Sequence, residues 1–180
     1  MTRTAGTSLD RLATAAFMIV NRQRNVRISV KDLGEFVSRA RRALRLPVES
    51  VTVCLVTNSE IARWNRTYRG KRGPTDVLSF LADAEQESRG TQRKQRGSPA
   101  NRNRFVSSTS SVSSASYLGD IAIAPAVARR NARRFGRTFG EEMRILILHG
   151  MLHLMGYDHE TDSGQMDRRE RRLRRALGLA

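Results

Sequence analysis

Cysteine and histidine are both scarce in this chain. Cys54 is the only cysteine among 180 residues, so no intramolecular disulfide can form. That usage fits a reducing compartment, and a cytoplasmic location is expected. No apolar stretch approaches the roughly 20 residues needed to span a bilayer, so no membrane partner is expected. The N-terminus lacks the apolar core and cleavage site of a secretory signal. Acidic side chains are also few: 17 Asp and Glu stand against 33 Lys and Arg, for a formal net charge of +16 and a pI near 11.6. Such a balance attracts polyanions, RNA foremost, although a solvated arginine-rich surface accounts for the same charge.

The three histidines present, His149, His153 and His159, all fall within one short stretch. Four residues turn a helix by about 400°, so His149 and His153 lie roughly 40° apart and share a face. Gly156 can end that helix in a left-handed turn, which lets His159 swing back toward the first two. Three neutral imidazoles suit Zn²⁺ with a fourth position open to water, as in a catalytic site. A closed structural site would draw on thiolates, and Cys54 lies in a separate apolar run. The spacing is similar to the H-E-x-x-H-x-x-G-x-x-H of metzincin proteases, a zincin-like arrangement. There the glutamate after the first histidine is the general base. Here that position is Gly150, which argues against peptide hydrolysis.

The rest of the chain reads as a single domain. Met1 to about residue 16 is small, polar and weakly patterned, and is expected to be a flexible extension. Phe17–Asn21 is a candidate first strand. Ser29 followed by Asp32 starts a helix whose apolar stripe is Leu33, Phe36, Val37, Ala40 and Leu44, closed by Pro47. Val51–Val56 reads as a buried strand. Asn58 or Ser59 caps the next helix, with Ile61, Trp64 and Tyr68 at helical spacing. Trp64 reads as a core anchor before a base-stacking platform. A basic, glycine-rich loop, Arg69 to Pro74, leads to a strand over Thr75–Phe80. The polar, serine-rich stretch from about 84 to 116 cannot bury a core and reads as a disordered insertion in the domain spanning 17–180. Tyr117–Ile123 is a fourth strand, and Pro125 opens a helix running to about Phe135. Thr138 with Glu141 forms a capping-box pattern ahead of the histidine helix. A final helix over Gln165–Leu177 carries Arg168, Arg169, Arg171, Arg172, Arg174 and Arg175, facing either RNA or solvent.

Three blocks carry a family resemblance. His149-Gly150-x-x-His153-Leu154-x-Gly156-Tyr157-Asp158-His159 resembles the signature of the YbeY endoribonucleases. So do Asn65-x-x-Tyr68-Arg69 leading to Pro74–Phe80, and Leu118-Gly119-Asp120-Ile121. The likeness runs from about Phe17 to Leu179. It implies an α+β fold with a mixed four-stranded sheet packed with about five helices. It also implies a zinc-dependent, single-strand-specific endoribonuclease that matures ribosomal RNA at the small-subunit 3′ end and serves ribosome quality control. Its partners would be single-stranded RNA, ribosomal RNA and the small ribosomal subunit. The metal ligands carry over to His149, His153 and His159, one zinc per chain, and the functional arginine to Arg69. Arg69 and His149 are then the catalytic candidates, and Arg69, Lys71 and Arg72 the RNA-binding ones.

The residues themselves leave several choices open. A guanidinium suits phosphate through its bidentate fork, but Arg69 is also a plausible surface charge. Asp158 can orient a ligand from behind or cap a turn. Either water or an RNA 2′-hydroxyl can attack. The rival readings are a zinc-containing ribosome-assembly or RNA-binding factor without cleavage activity and, less favoured, a zinc peptidase.

Overall fold

The computed structural model describes residues 19–82 and 117–179. The expectations for the extension, for Phe17 and Met18, and for the insertion fall outside these residues. The described residues form four strands and five helices. They are β1 (Ile19–Asn21), α1 (Val30–Leu44), β2 (Val51–Leu55), α2 (Asn58–Arg69), β3 (Val77–Leu81), β4 (Gly119–Ile123), α3 (Pro125–Arg134), α4 (Phe139–Leu154) and α5 (Gln165–Leu177). The strands make one mixed sheet in the order β1-β2-β4-β3. β1, β2 and β4 are parallel, and β3 runs antiparallel on the β4 edge. The expected α+β architecture stands.

Alternation along the strands builds two apolar layers, because successive side chains point to opposite faces. Val51, Val53 and Leu55 of β2, with Ile121 and Ile123 of β4, face the main core, where α1, α4 and α5 pack. Cys54 and Ala122 face a smaller cluster formed with Ile61 and Trp64 of α2 and Val127 of α3. Trp64 is buried and meets Phe80 edge-on at 6.0 Å, so it is the core anchor expected. The Cys54 thiol is pushed up to about 12, first by burial and then by the negative charge of Asp120. It is therefore a neutral thiol and a poor nucleophile or metal ligand.

The helix starts follow local chemistry. Ser29 Oγ accepts from the Asp32 N–H, as expected. The α2 cap is Thr57, one residue before the two candidates. Thr57 wins because Glu60, three residues on, completes a capping box by accepting from the Thr57 N–H at 3.0 Å. Thr138 and Glu141 form the anticipated box on α4. β3 begins at Val77, two residues later than expected. Asp76 takes the Val77 N–H at 2.9 Å and a bond from Asn131 at 2.9 Å, which holds the approach in a bend.

Two glycines explain the tight middle of the fold. A Cβ on Gly119 would lie 2.0 Å from the Phe80 carbonyl oxygen, so only glycine lets β3 and β4 pair there. A Cβ on Gly150 would lie 2.7 Å from Ile121 Cγ2, so α4 rests its backbone directly on the sheet. Ser79 on β3 completes that contact by donating to the Gly150 carbonyl at 3.3 Å.

Candidate metal centre

α4 ends at Leu154, and the chain turns sharply through Gly156, whose φ is +86°. The Gly156 and Tyr157 N–H groups bond back to the carbonyls of His153 and Leu152. This reversal brings His159 beside the two helical histidines. The imidazole centroids form a near-regular triangle of 4.7, 5.3 and 5.3 Å. One ring nitrogen from each lies within 4.8 Å of the other two. His149 Nε2 and His153 Nε2 are 3.1 Å apart. Two nitrogens sharing a tetrahedral Zn²⁺ at 2.0–2.1 Å would stand about 3.4 Å apart, so the spacing fits a shared ion.

Glu170 of α5 turns this cluster into an oriented site. Its Oε2 lies 3.0 Å from His149 Nδ1, and the residue is 7% exposed. A proton on Nδ1, donated to the carboxylate, leaves the Nε2 lone pair free for a metal. Arg174 holds the other Glu170 oxygen. Burial by itself raises the Glu170 carboxyl, but the His149 hydrogen bond and the Arg174 charge outweigh it and hold the group below its ordinary value. His153 is lowered by burial and then by the neighbouring imidazoles, which favours the neutral form that can ligate.

Glu170 was absent from the sequence-based candidates, yet it left a trace. It falls on the inward stripe Met166, Glu170, Leu173, Leu177, an acid at a helical position otherwise apolar. Asp158, the residue considered for the bracing role, serves the turn. Its carboxylate accepts from the Glu160 N–H at 2.9 Å and from the Thr161 hydroxyl at 3.2 Å.

Arg69, at the C-terminal end of α2, is drawn to the same loop. Its Nη2 sits 2.9 Å from Glu160 Oε1, next in sequence to His159. Lys71 Nζ approaches the same carboxylate at 3.9 Å, and Arg72 is exposed one residue further on. Asn65 holds this basic loop from beneath, donating from Nδ2 to the Gly73 carbonyl at 3.0 Å. Arg69 and Lys71 thus border the histidines through Glu160, and Arg72 lies on their loop.

The described residues make an α+β domain that gathers two imidazoles from the last turns of a buried helix and a third from the loop beyond it, a group that could hold a metal ion, with a carboxylate behind the first. A sequence model of the family described as Endoribonuclease YbeY matches residues 18–178. The Endoribonuclease YbeY of Koribacter versatilis is 35% identical over 162 residues, covering 90% of this chain and 86% of that one. That of Solibacter usitatus is 39% identical over 122 residues, covering 68% and 62%. The solution structure of TM1509 from Thermotoga maritima has the same fold, with a TM-score of 0.50 at 24% identity, covering 88% of this chain and 87% of that one. The chain belongs to the YbeY endoribonuclease family.

Proposed function

We propose that the chain is a zinc-dependent endoribonuclease that cleaves single-stranded RNA, acting on ribosomal RNA of the small subunit near its 3′ end. The observation that carries this reading is the triangle of His149, His153 and His159, with Glu170 fixing which nitrogen of His149 is presented. The three imidazoles would hold one Zn²⁺, with α4 as a zincin-like helix. Zinc at such a site supplies hydroxide at neutral pH and polarises a phosphoryl oxygen. Arg69 contributes a permanently charged fork for phosphate oxygens, releasing Glu160 as RNA arrives. Lys71 and Arg72 add positive charge along the same approach.

The geometry disfavours the peptidase alternative on steric grounds. The residue after the first histidine faces Ile121 across the sheet contact, where even a Cβ would collide. A glutamate base has no room at that position.

Metal analysis coupled to cleavage of a defined single-stranded RNA tests the proposal. The wild type is expected to carry about one zinc and to cleave, and His153→Ala to lose both. Cleavage by a metal-free His153→Ala protein would refute it. Within this reading, Arg69→Ala should slow single-turnover cleavage more than Arg69→Lys does, because lysine keeps the charge and loses the fork. Zinc content and thermal midpoint should hold in both variants. A wild-type rate for Arg69→Ala at saturating enzyme would restrict Arg69 to binding.

A further inference from the structure

The outward face of α5 has no role in the site just described. Arg168, Arg171, Arg172 and Arg175 recur at helical spacing, on the side away from Met166, Glu170, Leu173 and Leu177. With Arg174 and Leu179 they line an open groove of about 610 Å³. Some of this charge is spoken for. Arg171 pairs with Asp167 at 3.0 Å, Arg168 bonds the Ser163 carbonyl at 3.0 Å, and Arg174 holds Glu170. No described residue takes the guanidinium of Arg172 or of Arg175. Like charges three and four residues apart repel along a helix, so the ladder is unfavourable until an anion enters it.

The chemistry of the ladder selects phosphate. All its cations are arginines, whose planar fork matches two phosphoryl oxygens at once. Its place in the fold selects RNA over an acidic protein. Arg174 lines the groove and also holds Glu170, which in turn bonds His149, so two side chains separate the groove from the metal ligand. We infer that this groove is a docking surface for the RNA backbone, holding phosphates of the substrate strand away from the nucleotide at the histidines. The inference rests on the RNA-cleaving reading.

The test is equilibrium binding of oligouridylate to the zinc-loaded full chain over a range of salt, comparing wild type with Arg172→Gln/Arg175→Gln. Each phosphate contact to a single strand contributes about 0.7 to the slope of log affinity against log salt. The double variant is expected to lose about 1.4 from that slope. Arg172→Lys/Arg175→Lys should recover most of the slope, since charge is restored. Zinc content should match wild type in all samples, and the thermal midpoint should not fall, with the Gln pair gaining slightly from the relieved repulsion. An unchanged slope overturns the inference. So does an unchanged slope accompanied by lost binding of polyglutamate, which would assign the groove to an acidic protein. A wild type whose salt slope depends on these arginines, but which cleaves no RNA, supports the docking surface and refutes the nuclease reading alone.

Discussion

α4 and α5 build one site from opposite materials. α4 is apolar nearly all round: Met143, Ile145 to Leu148, Met151, Leu152 and Leu154 are buried. Its one buried acid, Glu142, is paired with Arg137 at 3.0 Å. α5 is charged over most of its surface and buries a single stripe. The helix that presents two of the three clustered histidines is thus held by dense packing on the sheet, which permits little displacement. The helix that supplies the bracing carboxylate is held by that narrow stripe. The positions of His149 and His153 are set by apolar contact, and the tautomer of His149 by a polar bond from a separate element.

Substitutions can separate these contributions, and the largest effect belongs to α4. Ile147 is fully buried, and Ile147→Ala is expected to destabilise the fold by about 2–5 kcal/mol, read by urea unfolding. A loss under about 1 kcal/mol would show that α4 is not the rigid partner. Next comes the inward face of α5. Glu170→Ala should weaken zinc binding by about 10–100-fold in a chelator competition, with Glu170→Gln falling between it and wild type. Equal affinity in all three proteins would remove the brace. Smallest is the outward face. Asp167→Ala breaks an exposed i,i+4 pair with Arg171 and should shift stability by only about 0.3–0.5 kcal/mol.

The pH dependence sharpens the same contrast, because protons compete with metal for the imidazole lone pairs. Zinc affinity should fall as pH drops between about 8 and 5. Burial and the adjacent rings lower the His153 pKa, so its own protonation comes at the acid end of that range. The metal-free fold should also weaken as pH falls through the ordinary histidine value. There the unfolded chain takes up the His153 proton before the folded one does. A chelator titration and a thermal melt at each pH read the two effects.

Local patterns made much of this legible beforehand. The α1 stripe, the capping box at Thr138 and the turn at Gly156 are each written within a few residues, and each stands where expected. The three histidines were readable for the same reason. Partners joined over long separations were not. His149 and Glu170 lie on different helices, and Arg69 and Glu160 are 91 residues apart. No local periodicity announces such pairs, and they appear only when the sheet sets the helices in place. The family resemblance supplied Arg69, whereas Glu170, an odd acid on an apolar stripe, meets its partner His149 only in the folded chain. The Thr57 cap was visible through Glu60, but adjacent Asn58 and Ser59 offered the same cap chemistry.

The parallel pairing of β2 with β4 bears on how fast the molecule assembles. Leu55 and Gly119 bound one chain segment, and the two strands on either side of it must meet before the centre of the sheet exists. Parallel neighbours cannot be joined by a tight turn, so this contact waits on closure of a long loop. Halving a loop lowers its closure cost by only about 0.6 kcal/mol. Replacing 84–116 with a short Gly/Ser linker roughly halves the segment between the strands. It should therefore quicken refolding about threefold at most while leaving the unfolding rate almost unchanged. The central strands of the sheet would then be the slow step of its birth, and the histidine site, hung from α4 behind β4, would form only after them.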